Sequence, residues 1–232
     1  MINYYVEVFR AKNICSVYPQ VLEFVLTRGV AYSLIVDLAK PAILKEDVVD
    51  EELSIIGVDL NLELHEKYKN FIFGDGKSGS DNIKKRLQLF RKGKYALAIS
   101  SFGQLNFIIR ALPVVNKKTW LYNRLICLAI NPRHKKLSHV HFSNKPVPPC
   151  LVMIDFKLRG KYLDLISVWR LDYVDTRAYG NWIALAMLLR EICLKTQHEP
   201  GHLTIIANKA LIQDKSSAKF LLERLKSMPL ID

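Results

Sequence analysis

The stretch CLVMIDFKLRGKYLDLISVWRLDY, Cys150 to Tyr173, decides how this chain folds. Two apolar runs, CLVMIDFKL (150–158) and KYLDLISVWRLDY (161–173), flank Arg159-Gly160. That pattern predicts a β-hairpin, with the glycine supplying the turn. The hairpin opens at Cys150, directly after Pro148 and Pro149. A cysteine placed where the chain leaves a rigid turn and enters a sheet has two readings. It is either one more buried, inert thiol or a nucleophile held at the floor of a pocket.

Working outward from the hairpin, AYGNWIALAMLLREICLK (178–195) is apolar on more than one stripe, which predicts a central buried helix. GHLTIIANKALI (201–212) reads as a further strand and SSAKFLLERLKSM (216–228) as an amphipathic helix. Upstream, YPQVLEFVLTRG (18–29) reads as a helix ending at Gly29, and VAYSLIVDLA (30–39) as a buried strand. FGDGKSGSDN (73–82) reads as a mobile surface loop, with Ser80 or Asp81 capping a helix over 82–91. YALAIS (95–100) is a predicted strand, GQLNFIIRALP (103–113) a helix stopped by Pro113, and NRLICLAIN (123–131) a buried strand. Strands and helices mix without strict βαβ alternation. The expected fold is therefore α+β: a single domain over 1–232, with a mixed, mostly buried sheet and one central buried helix.

Half of the 232 residues are hydrophobic, enough for a sizeable core, and no apolar run approaches the roughly 20 residues of a membrane span. No signal peptide is read at the start, and the four cysteines (Cys15, Cys127, Cys150, Cys193) form no CxxC pair. Both point to reduced thiols and a cytoplasmic protein, with Cys15, Cys127 and Cys193 in the core. His139 and His141 share one strand face but have no further ligand run, so no metal is expected. The net charge of +12 points to phosphates, in a nucleotide or nucleic acid, or else to a solvated basic surface.

Three residues in register narrow the choice. Arg170 comes twenty residues after Cys150, and Asn181 eleven after that, at the start of the buried helix. This constellation resembles the thymidylate synthase family, in which a Pro-Pro-Cys or Ala-Pro-Cys nucleophile, a phosphate-binding arginine and a base-reading asparagine have these spacings. The resemblance implies a thymidylate synthase-like fold and a homodimer that binds a pyrimidine nucleotide. It also implies a reduced folate, 5,10-methylenetetrahydrofolate or a relative, as one-carbon donor. It assigns catalysis to Cys150 and Asn181, and phosphate contacts to Arg170 and, through LTRGVAYSL, to Arg28. Phosphate contacts across the subunit interface would come from Lys117 and Lys118, or from Arg124. Glu63 is the candidate for organising water over the pyrimidine, and Trp169 or Trp182 for stacking on the base, with core packing the stronger reading for Trp182.

The chemistry explains the residue types. A thiolate adds to carbon 6 of a pyrimidine and makes carbon 5 nucleophilic toward the donor. Arginine meets phosphate with a planar fork of two hydrogen bonds, and a half-buried Arg170 is expected after the apolar run LISVW. An asparagine amide both donates and accepts, matching O4 and N3–H of uracil, whereas an aspartate would suit cytosine.

The chain also departs from the family. Tyr173 stands where an aspartate contacts the folate, flanked by Asp172 and Asp175, and Tyr173 and Asp172 are the candidate base or cofactor contacts there. Leu211 and Gln213 stand where a histidine and a tyrosine hold the sugar, Leu151 replaces the histidine after the cysteine, and His202 lies at the wrong end of its strand. Three functions follow in order: a carbon-5 methyl- or hydroxymethyltransferase acting on a uracil nucleotide; a catalytically degenerate nucleotide-binding homologue, a sensor or regulatory subunit; and a basic nucleic-acid-binding module.

Overall fold

The computed structural model describes residues 6–41, 99, 103–117, 125–129 and 150–227. The hairpin at the centre of the sequence is also central in the fold. Strand β4 (Leu151–Arg159) pairs antiparallel with β5 (Tyr162–Trp169). Arg159 remains within the ladder opposite Tyr162, so the turn is Gly160-Lys161, with Gly160 at φ 63°. Glycine takes that left-handed conformation without steric cost.

The remaining strands are β1 (Glu7–Ala11), β2 (Val30–Leu38), β3 (Ile126–Leu128), β6 (Asp172–Tyr173) and β7 (Glu199–Leu211). They make one mixed sheet in the order β1-β2-β7-β5-β4-β3, with β6 added to β7. β1 with β2, β5 with β7 and β6 with β7 are parallel, and the other pairs are antiparallel. Four α-helices are described: α1 (Ile14–Arg28), α2 (Gln104–Ala111), α3 (Tyr179–Thr196) and α4 (Lys215–Ser227).

One face of the sheet carries Val36, Ile205, Ser167, Ile154 and Cys127 in a single buried row, and α1 and α3 pack over that side. α3 is buried nearly all round from Asn181 to Leu189, as its multi-stripe pattern predicts. Along the opposite face Val8, Ile35, Ile206, Val168, Met153 and Leu128 form a second row. Its two ends, Val8 and Leu128, are exposed and the rest half-buried.

Several expectations need correction. α1 begins at Ile14 rather than near Tyr18, because Asn13 caps it: the Asn13 side-chain oxygen accepts the Ser16 amide at 2.9 Å. Gly29, at φ 77°, ends it as predicted. β2 is buried on one face only, and its alternation changes phase at Ser33, whose φ of 56° turns Tyr32 out to solvent. β7 changes phase opposite it at Asn208, and β4 is bulged between Leu151 and Met153. All three irregularities lie toward the end of the sheet where Cys150 opens β4. Pro113 does not release the chain from helical turns, since a tighter 3-10 turn continues from Leu112 to Lys117. Proline tolerates the start of such a turn because its missing amide has no partner to lose there. Of the predicted strand 95–100 only Ile99 is described, and it is helical and buried; a short apolar run fits either element. The loop 73–82 and the helix over 82–91 lie outside the described residues.

Candidate functional site

The expected strand through Tyr173 breaks at Arg170. β5 stops at Trp169, and the chain then steps across to pair Asp172 with Ala210 and Tyr173 with Leu211 of β7. Before it leaves, the Arg170 amide donates to the Cys150 carbonyl at 2.8 Å. Cys150 and Arg170 therefore face each other at the mouth of the hairpin. Cys150 is half-buried and packs against the core, while Arg170 is exposed, not half-buried as the preceding apolar run suggests. The exposure follows from strand parity: Trp169 takes the inward position, so Arg170 points out.

The same end of the sheet gathers the other described candidates. β2 runs antiparallel to β7, with Val30 opposite Leu211, so Arg28 precedes β2 at this end. Its guanidinium lies 4.6 Å from the Phe24 ring centroid and 3.6 Å from a Glu7 carboxylate oxygen. After β6, one π-helical turn (Val174–Ala178) leads into α3, so Asn181 falls in the first turn of the buried helix. It is not the cap, a position taken by Ala178. π-turns are wide and recur at functional sites. This one is tied down twice. The Tyr18 hydroxyl donates to the Val174 carbonyl at 2.8 Å, and Asp175 accepts the backbone amides of Gln213 and Asp214 at 3.0 and 2.9 Å.

Asp172 is the centre of this end. It is 2% exposed, and the Trp182 indole donates to it at 3.2 Å. Burial pushes its carboxyl up to about 7, against the Trp182 indole, the polar groups of Asn181 and Tyr173 and the positive charge of Arg177. The Arg177 guanidinium lies 5.1 Å from the Tyr173 ring centroid, a cation–π distance.

The structure thus brings Cys150, Arg170, Arg28, Asp172, Tyr173 and Asn181 to one end of the fold. It does not bring Trp169 to a ligand: the ring is fully buried and its indole N–H donates to Ser167 Oγ at 3.0 Å. Trp182 is core, as the composition of its helix implies. Cys127 and Cys193 are buried thiols pushed up to about 12 by desolvation, too high to supply thiolate near neutral pH. His202 lies toward the opposite end, 3.1 Å from Asp37 through Nδ1. Leu151 is wholly buried, and Gln213 is engaged with Thr176, whose hydroxyl donates to it at 3.1 Å. Glu63, Lys118, Arg124, His139, His141 and the Lys117 and Cys15 side chains lie outside the described residues. Among the described residues no three His, Cys, Asp or Glu side chains converge as metal ligands, and no helix is long and apolar enough to cross a membrane. Arg177 is the neighbour of this end that the sequence does not single out; Asp172 is the candidate base or cofactor contact beside Tyr173, and its burial against Trp182 is what the structure adds.

No protein-family model matches the chain, and the search of curated proteins returned no match.

Proposed function

We propose that this protein is a thymidylate synthase-like one-carbon transferase acting at carbon 5 of a uracil nucleotide. The observation that carries the reading is the 2.8 Å backbone bond between Arg170 and Cys150, with Asn181 opening the buried helix that follows. Nucleophile, phosphate ligand and base reader would then converge on one sheet end. Cys150 Sγ bonds to carbon 6 of the ring, and the displaced electron pair makes carbon 5 attack the methylene of a reduced folate. Loss of the carbon 5 proton then breaks the bond from the methylene to the folate nitrogen, expelling the folate and leaving an exocyclic methylene on carbon 5. Hydride from the folate, which becomes a dihydrofolate, or water adds to that methylene to give a methyl or hydroxymethyl product, and cleavage of the C6–S bond releases the thiolate. Arg170, with Arg28 beside the same end, would hold the phosphate. The half-exposed apolar row from Val8 to Leu128 supports a homodimer.

The test is intact-mass measurement after incubation with 5-fluoro-dUMP, with and without methylenetetrahydrofolate. A folate-dependent covalent adduct, lost in Cys150→Ser, is expected. Nucleotide binding without any adduct would instead support a degenerate homologue that senses nucleotides. One observation favours that second reading: Gln213 and Asp175 spend the end of β7 on structural bonds where the family holds the sugar. Polynucleotide binding that falls steeply and linearly in log salt, with no mononucleotide affinity, would replace both by a nucleic-acid-binding module.

A further inference from the structure

Two neighbouring strands change phase side by side. Leu34 and Val36 of β2 and Ile205 and Ala207 of β7 point into the core, so strict alternation would bury Tyr32 and Lys209 as well. Instead Ser33 takes a φ of 56°, a conformation uncommon for a residue with a side chain, and β7 reverses opposite it at Asn208. The buried row there becomes Ala31, Ala210 and Asp172, with Asp172 bonded to Trp182 of α3. Tyr32, Lys209, Leu211 and Tyr173, each next to a member of that row, face the other way. They lie on the half-exposed face of the sheet, beyond its apolar row, at the end where Cys150 opens β4.

Each tyrosine carries a cation. Lys209 Nζ lies 5.9 Å from the Tyr32 ring centroid, and the Arg177 guanidinium 5.1 Å from that of Tyr173. Among the described residues neither cation is in a salt bridge, whereas Arg28, over Phe24, is paired with Glu7. Tyr32 is 42% exposed, and Tyr173, Lys209 and Arg177 are half-buried. Tyr32 on β2 and Tyr173 on β6 flank β7, so two strand spacings, about 10 Å, separate them. A ring with a cation, repeated at that distance, suits a polymer that repeats a planar base with an anionic phosphate. A lipid headgroup or an acidic peptide brings charge but no flat partner for the rings, and a duplex hides the faces of its bases. The net charge of +12 complements the same ligand. We propose that this face is a binding site for single-stranded nucleic acid, with bases stacked at Tyr32 and Tyr173 and phosphates held by Lys209 and Arg177. The site does not depend on the reading of Cys150 as a nucleophile.

The test is fluorescence anisotropy of the full chain with labelled single strands of about 12 nucleotides, oligo-dT and oligo-U, and with a duplex of the same length. Wild type is expected to bind at least one single strand more tightly than the duplex. Tyr32→Leu and Tyr173→Leu keep every charge, and each is expected to weaken that binding about fivefold or more. Lys209→Gln and Arg177→Gln should each lower the slope of log affinity against log salt by about 0.7. Lys161→Gln, in the hairpin turn at the opposite end, removes the same charge and should leave affinity within about twofold, because salt screens beyond about 10 Å. Unchanged affinity in both tyrosine variants, or a loss in Lys161→Gln equal to that in Lys209→Gln, reduces the effect to net charge and overturns the proposal. Duplex binding as tight as single-strand binding overturns it, as does an absence of binding to any of them. So does binding to phosphatidylserine vesicles that the same variants lose, with no affinity for either strand. A 5-fluoro-dUMP adduct without strand binding overturns this inference and leaves the transferase reading; strand binding without an adduct does the reverse. Should a tyrosine variant not fold, photo-cross-linking of wild type to a strand carrying 5-iodouracil decides. Cross-linked peptides that hold Tyr32 or Tyr173 support the site, and cross-links found only elsewhere overturn it.

Discussion

The amide of Arg170 donates to the carbonyl of Cys150 across 2.8 Å, the last rung before the hairpin opens. Because the bond is between backbones, either side chain can be changed while the rung persists. Cys150→Ser is therefore expected to abolish the 5-fluoro-dUMP adduct while nucleotide affinity, by calorimetry, stays within a few-fold. Loss of binding together with loss of the adduct would argue that Cys150 is structural.

Arg170→Ala should weaken a nucleoside monophosphate by about 1.5–3 kcal/mol, the worth of hydrogen bonds to a charged group. That is roughly ten- to a hundredfold in Kd. The corresponding nucleoside, which lacks the phosphate, should be unaffected. A parallel loss for nucleoside and nucleotide would remove Arg170 from the phosphate site.

Asp172 sets a pH dependence of stability with a definite sign. Its carboxyl titrates near 7 when folded, against 3.8 as its ordinary value, because burial disfavours the charge. The folded state therefore keeps its proton between those values while the unfolded chain releases it. The contribution to stability is whole below about pH 4, falls as pH rises toward 7, and is flat above. Urea denaturation of wild type minus Asp172→Asn, measured at pH 4.5 and at pH 8, should show this fall. A difference independent of pH would mean that Asp172 is charged throughout.

The π-turn before α3 is held by two side chains, Tyr18 from α1 and its own Asp175. Tyr18→Phe removes the donor to the Val174 carbonyl and should cost about 1–3 kcal/mol, since the carbonyl is left buried and unpaired. Asp175→Ala removes the acceptor of two backbone amides on the exposed residues Gln213 and Asp214, which water can reach, and should cost less, about 0.5–1.5 kcal/mol. If the turn positions Asn181, both variants should also lower dUMP affinity. Stability loss without any effect on binding would separate the turn from the site.

At the opposite end of the sheet, a Cβ on Gly201 would run into Asp164 Oδ1 and press the Leu163 carbonyl. Asp164 also accepts the His202 amide at 2.7 Å and pairs with Arg159 at 3.1 Å. Gly201→Ala should destabilise by about 1–3 kcal/mol through this overpacking, measured by urea denaturation. Nucleotide binding should be spared, because the site is at the other end.

Much of the architecture was legible in the residues. Local pattern reports local geometry, so the hairpin from Cys150 to Trp169, the buried helix Tyr179–Thr196 and the stop at Gly29 could be read directly. So could the spacing that puts Cys150, Arg170 and Asn181 at element boundaries. Their convergence at one end could not, because it depends on β7 running parallel to β5 and antiparallel to β2. Nor could the departure of Asp172 and Tyr173 to β7, since a period-two pattern does not say which strand is the neighbour. The phase changes at Ser33, Asn208 and Val152 are invisible for the same reason: each is a local backbone adjustment that only the assembled sheet requires. The role of Asp172 was the least legible of all. An aspartate in sequence is a charged residue bound for solvent. Only the assembled core around it removes the water and raises its affinity for a proton, while the Trp182 indole supplies a donor at 3.2 Å.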